Sequence, residues 1–218
     1  MKEVTVYRVK KLVKVLPFYL VAFWLITACS EDTGEVDDYA NWEERNEVYF
    51  ASLTDSLRND PIHWSRIKSF SLDSQTEGAA TDYIYVKTIA SGEGSESPLY
   101  TDSVRVSYQG RVIPTVSYPQ GYVFDGTVYG DYSLATNATT RMKISSLIIG
   151  MQTALLHMHR GDYWRVYIPN ELGYKSQDQT NSGIPPYSTL IFDLTLIDFS
   201  PVGESMPVWS ARPVNWKE

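Results

Sequence analysis

The sequence contains one cysteine, Cys29, in 218 residues. A single thiol cannot close an internal disulfide, so the fold must be held without one. Histidine is almost as scarce. His157 and His159 stand two apart, on different sides of any helix, and His63 is remote in sequence. No metal and no other cofactor are therefore expected. Long apolar runs are missing too. The longest, Val15 to Ala28, has 14 residues, against the roughly 20 that span a bilayer. Positive charge is in short supply, with 19 Lys and Arg against 26 Asp and Glu, a net charge of −7. Phosphate binding needs a basic face, so nucleic acid is excluded as a natural partner. Internal repeats and low-complexity stretches are absent, which excludes solenoid and fibrous architectures.

The short apolar run has a meaning of its own. Lys2, Arg8, Lys10, Lys11 and Lys14 precede it as a basic n-region, and the run has the length of a signal-peptide core. It ends Leu25-Ile26-Thr27-Ala28-Cys29. Small residues directly before a cysteine resemble the bacterial lipobox, in which the Cys is lipidated and becomes the mature N-terminus. Cys29 is thus the expected lipidation site, and attachment to a membrane is expected through that lipid. Without the leader the balance is 14 basic against 25 acidic residues. The Ser30-to-Asp38 stretch is polar and acidic, as a solvated tether would be. It also resembles the acidic signals after the cysteine that send some Bacteroidetes lipoproteins to the cell surface. The expected location is the cell envelope, at the outer membrane.

Aromatics are plentiful, with 16 Tyr and 6 Trp. Such residues suit sheets and ring-lined grooves, because they bury large areas and keep a polar handle. From Tyr39 to Leu57, residues Trp42, Tyr49, Phe50, Leu53 and Leu57 fall on one helical stripe, with Glu43, Glu44 and Glu47 opposite. Asn59-Asp60-Pro61 ends it. A helix docked on the domain is expected in preference to a dimerisation helix, and the chain is expected to be a monomer. After Gly78 the pattern is that of strands: Tyr83–Ile89, Ser103–Tyr108, Arg111–Thr115 beyond a break at Gly110, Tyr163–Ile168 and Thr189–Phe199. Between them Leu147–Met158 reads as a short helix, apolar on most sides and hence buried against the sheet. The architecture is α+β with an antiparallel sheet wrapped on a helix. The expected organisation is a leader at 1–28, a tether at 29–38, a helical extension at 39–77, the main domain at 78–200 and an extended tail at 201–218.

Four segments occur in a definite order. They are Val104-Arg-Val-Ser-Tyr108-Gln-Gly110; Gly121-Tyr-Val-Phe124-Asp125; Leu147-Ile148-Ile-Gly150-Met151 continuing to Gly161-Asp162; and Val166-Tyr-Ile-Pro169 to Tyr174, followed by Ile184-Pro-Pro-Tyr-Ser-Thr-Leu-Ile-Phe192-Asp-Leu. Together they resemble the FKBP family of peptidyl-prolyl cis-trans isomerases, over roughly Tyr83 to Phe199. The resemblance implies an FKBP-like half-open antiparallel sheet around one short helix, with a proline-binding pocket between the two. It implies pocket residues Tyr108, Phe124, Asp125, Tyr174 and Phe192 for catalysis, and Leu147, Ile148, Met151 and Ile184 for substrate binding. The Ile148 backbone N–H and the Tyr174 hydroxyl would take carbonyls of the bound segment. The implied substrates are proline-containing polypeptides, and the implied reaction is isomerisation of X–Pro bonds in exported or surface proteins. The alternative is a catalytically weak module that holds a proline-containing partner segment. This chain departs from the family at Met151, where many members have Trp, and at Lys175, where the family has Gly.

Overall fold

In a computed structural model of the chain, residues 37–128, 130–133 and 136–207 are described. The leader, Cys29, nearly all of the acidic tether and the tail tryptophans Trp209 and Trp216 lie outside them. The described residues from Asp38 to Pro207 form one compact unit. Helix α1 (Trp42–Asn59) comes first, then strand β1 (Trp64–Lys68) and strand β2 (Tyr83–Ala90). Strands β3 (Ser103–Val112), β4 (Val123–Gly126) and β5 (Thr140–Lys143) follow. Helix α2 (Ile149–Leu155) precedes β6 (Tyr163–Ile168) and β7 (Leu190–Ser200).

All seven strands join one antiparallel sheet in the order β1-β2-β6-β7-β3-β4, with β5 paired to the other half of the β3 edge that holds β4. The two faces of this sheet differ chemically because side chains alternate along each strand. Registers that match Val86 with Val166, Val166 with Phe192 and Tyr108 with Leu194 put apolar residues on the inner face. Helix α2 lies there. Six of its seven residues are buried, as a helix apolar nearly all round requires. Gly150 allows the approach: a Cβ there would lie 2.3 Å from Ile168 Cγ2.

The outer face carries Tyr85, Tyr163, Arg165, Tyr167 and Asp193, and α1 covers part of it. Phe50 meets Tyr85 edge-on at 5.3 Å, Tyr49 lies 6.5 Å from Tyr167, and the Thr54 and Tyr85 hydroxyls are 3.0 Å apart. Trp42, Phe50 and Leu53 are buried, each contributing roughly 1.5–3 kcal/mol of apolar transfer. Further along this face Asp193, itself buried, takes two bonds from Arg165 and one from Arg111. Tyr132 stacks on Tyr163 at 4.4 Å and bonds Thr195 and the Ser107 carbonyl.

Several local expectations change. Gly110 does not interrupt its strand: β3 runs through it and ends at Val112, so 113–115 are not strand. The inner helix is shorter than 147–158, because Leu147 and Ile148 are extended lead-in residues after a 3₁₀ turn at Ile144–Ser146. The 39–77 segment is not wholly helical, since β1 lies in it and pairs with β2. Among the described residues no helix is long and apolar enough to cross a membrane.

Candidate functional site

The site forms where α2, the start of β4, the β6–β7 connection and the centre of β3 and β7 converge on the inner face. Tyr108 and Phe192 project from adjacent strands, with ring centroids 6.3 Å apart. Phe124 meets Phe192 edge-on at 5.6 Å and 84°, an arrangement that suits the ring quadrupoles. The rings crowd over Gly110. A Cβ there would lie 2.6 Å from Phe192 Cε1 and 2.8 Å from Phe124 Cε2 and Cζ. The glycine is therefore needed for the space it leaves.

Phe124 and Asp125 are consecutive, yet both serve this face. The register explains how. Gly110 pairs with Asp125 and Arg111 with Val123, so Phe124 is the extra residue of a β-bulge. A bulge re-aims a side chain that alternation would send to the other face. As a result Phe124 reaches Phe192, while Asp125 Oδ2 accepts a 2.6 Å hydrogen bond from the Tyr108 hydroxyl. Asp125 Oδ1 accepts the Gly126 N–H, which holds the carboxylate in place.

Burial divides these residues into two groups. Met151, Tyr108, Phe192 and Ile184 are 2–6% exposed. Phe124, Leu147, Ile148 and Tyr174 are intermediate, and Asp125 is exposed. Ile148 caps α2 in extended conformation, its carbonyl accepting from Gln152 N–H. Its own N–H has no partner among the described residues. The Leu147 carbonyl is taken by the Gln152 side chain at 2.6 Å. Burial and then the nearby Asp125 charge push the Tyr174 hydroxyl above its ordinary pKa of 10, so it is a proton donor throughout the neutral range.

The loop from Tyr174 to Ile184 is closed at its neck, where Tyr187 N–H donates to the Lys175 carbonyl at 2.8 Å and Gln179 bridges to Ile184. Lys175 and Tyr187 both hold positive φ, 59° and 61°. A glycine would hold that conformation without strain, whereas a lysine pays for its Cβ there. Of the expected site residues, direct contacts join Tyr108, Phe124, Asp125 and Phe192, while Leu147, Ile148, Met151, Tyr174 and Ile184 belong to or pack against the same hydrophobic core. Sequence reasoning missed Gly110, whose role depends on rings from two other strands, and missed Tyr122, whose ring packs on Gly183 beside Ile184. The histidines stand elsewhere in local bonds, His157 to the Thr153 carbonyl and His159 facing Asp162. Among the described residues no group of three or more metal-ligating side chains forms.

Comparison with known proteins relates part of the chain to a known family. Residues 94–197 match the family of FKBP-type peptidyl-prolyl cis-trans isomerases. An FKBP-type 22 kDa peptidyl-prolyl cis-trans isomerase of Escherichia coli is 36% identical over 112 residues, 51% of this chain and 48% of that protein. The outer membrane protein MIP of Legionella longbeachae is 33% identical over 111 residues, 51% of this chain and 42% of that protein. The chain thus spans about half the length of these relatives or less. A crystal structure of a peptidyl-prolyl cis-trans isomerase from Pseudomonas syringae superposes with a TM-score of 0.52 at 20% identity, over 74% of this chain and 96% of that one, which shows the shared fold. Over residues 94–197 the chain is thus similar to FKBP-type domains.

Proposed function

We propose that the chain is a peptidyl-prolyl cis-trans isomerase acting on X–Pro bonds of exported or surface polypeptides. The observation that carries this reading is the meeting of the Tyr108, Phe124 and Phe192 rings, with the exposed Asp125 carboxylate bonded to the Tyr108 hydroxyl and with Met151 and Ile184 buried. The chemistry asks for little else. An X–Pro bond turns over a barrier near ~20 kcal/mol without a nucleophile, metal or base. A thousandfold acceleration lowers it by only about 4 kcal/mol. The planar amide owes its stiffness to charge-separated resonance, which water favours. A ring-lined slot withdraws that solvation and binds the twisted form more tightly than either planar form. In this reading Tyr108, Phe124 and Phe192 wall the proline, with Leu147, Met151 and Ile184 beneath. The Ile148 N–H and the Tyr174 hydroxyl take substrate carbonyls, and Asp125 faces the rotating amide.

A protease-coupled assay on proline tetrapeptides tests it. Wild type should accelerate isomerisation, and Phe124→Ala and Asp125→Ala should lose most of that acceleration with the fold retained. The second reading is a module that binds proline segments without turnover. Met151 favours it, since a thioether on the floor offers no ring face. Peptide binding without acceleration, across several residues before proline, would select it.

The envelope location and the lipid on Cys29 belong to the same proposal. They rest on the leader sequence, and an outer membrane protein, the MIP of Legionella longbeachae, stands among the relatives. Cys29→Ser should release the protein from the membrane fraction, and palmitate labelling should be lost with it.

A further inference from the structure

We infer that helix α1, which lies outside the family-matching stretch, is a positioning brace that holds two walls of the proline pocket. This rests on the isomerase reading above. Seven side-chain hydrogen bonds carry it. On one wall, Trp42 Nε1–H donates to Ser188 Oγ at 2.9 Å, and that hydroxyl donates onward to the Pro185 carbonyl at 2.7 Å. Pro185 directly follows Ile184. One turn later along α1, Asn46 Oδ1 accepts the Thr189 N–H at 2.7 Å, while its Nδ2 donates to the Trp42 carbonyl at 2.7 Å. Asn46 is 2% exposed, with both its amide oxygen and its amide nitrogen engaged. On the other wall, Arg45 donates to the Asp38 carbonyl at 2.7 Å and to the Pro114 carbonyl at 3.1 Å, and Asp38 Oδ1 accepts the Ser117 N–H at 3.0 Å. Residues 114 and 117 lie in the β3–β4 connection, which leads into Phe124. The two walls meet where Tyr122 lies against Gly183.

The brace answers a need of the 184–189 segment. Tyr187 sits at positive φ without being glycine, and such a conformation persists only where its surroundings over-determine it. Its N–H is tied to Lys175 on one side. On the other side the two residues that follow it, Ser188 and Thr189, are the ones α1 holds. The helix packs on Tyr85 and Tyr167 of the outer face, so it touches no substrate and acts only through the loops.

Three variants and a control test this on the full chain: Trp42→Phe, Ser188→Ala, the double variant, and Phe50→Leu. Trp42→Phe keeps a ring and removes only the indole donor. Its kcat/KM on a proline tetrapeptide should fall about fivefold, the equivalent of one hydrogen bond, with the loss mainly in KM. Ser188→Ala should do the same if Trp42→Phe folds poorly, and the double variant should fall no further. Phe50→Leu weakens the same helix away from the loops. It should lower the melting midpoint at least as much while keeping wild-type kcat/KM. Unchanged kcat/KM in Trp42→Phe and Ser188→Ala would overturn the brace, as would an equal loss of activity in Phe50→Leu. A wild type inert towards every X–Pro peptide would instead overturn the isomerase reading, and the brace with it, before any variant is compared.

Discussion

Replacing Gly110 by alanine is a sharp probe of the ring cluster, because two effects of known sign oppose each other. In a strand interior Gly→Ala is ordinarily stabilising by about 0.5–1 kcal/mol. Gly110 lies in β3, outside the left-handed region, so its backbone poses no obstacle. The obstacle is steric. The new Cβ would sit 2.6 Å from Phe192 and 2.8 Å from Phe124, where carbons prefer about 3.5–4.0 Å. One or both rings must retreat by about 1 Å. Overpacking of this kind costs about 1–3 kcal/mol, which outweighs the backbone gain. The net loss should be about 1–2 kcal/mol, and a domain of this size loses about 2–4 °C per kcal/mol. The retreat also moves the pocket walls, where displacements near 1 Å cost up to about a hundredfold in rate. Urea unfolding and tetrapeptide isomerisation on the same preparation read both quantities. A variant more stable than wild type with full turnover would show that the rings do not need this gap and that the pocket geometry is wrong.

Three other outcomes follow from the same contacts. Asp193→Asn removes the charge that Arg111 and Arg165 share beneath the outer-face tyrosines, and should cost about 3 kcal/mol in denaturant titration. Lys175→Gly relieves a left-handed residue and should raise stability by about 0.5–1 kcal/mol, once the greater freedom of the unfolded glycine is subtracted. Burial pushes the Tyr49 and Tyr132 hydroxyls up to about 12. Above pH 10 the unfolded chain ionises these groups while the native chain still holds their protons. Stability should therefore be full below pH 10 and decline as pH rises through about 12, less steeply in Tyr49→Phe, as followed by circular dichroism.

The strands legible in the sequence are those whose two faces meet different surroundings, so that alternation survives. β2, β3, β6 and β7 each have apolar inner residues and polar or aromatic outer ones. β4 and β5 were beyond reach because four residues carry too little periodicity, and β1 because two of its five residues are exposed and its ends are not marked. The motif order assigned the pocket rings to their neighbourhood. It could not show the bulge at Phe124, which depends on how β4 registers against β3. The stripe on α1 pointed to a docked helix, but its most informative residue, Asn46, was invisible as one. A buried polar side chain declares itself only through its partner, and Thr189 lies 143 residues away.

The strand order has a practical consequence for anyone trimming this protein. The family-matching stretch starts at residue 94, after both β1 and β2. Cut there, β6 would present its unpaired N–H and C=O row as a bare template for other chains, and Tyr167 would lose the Trp64 ring stacked on it at 5.3 Å. Such a fragment should come out of the cell as aggregate, whereas one starting at Asp38 would keep every strand hydrogen-bonded to its native neighbour.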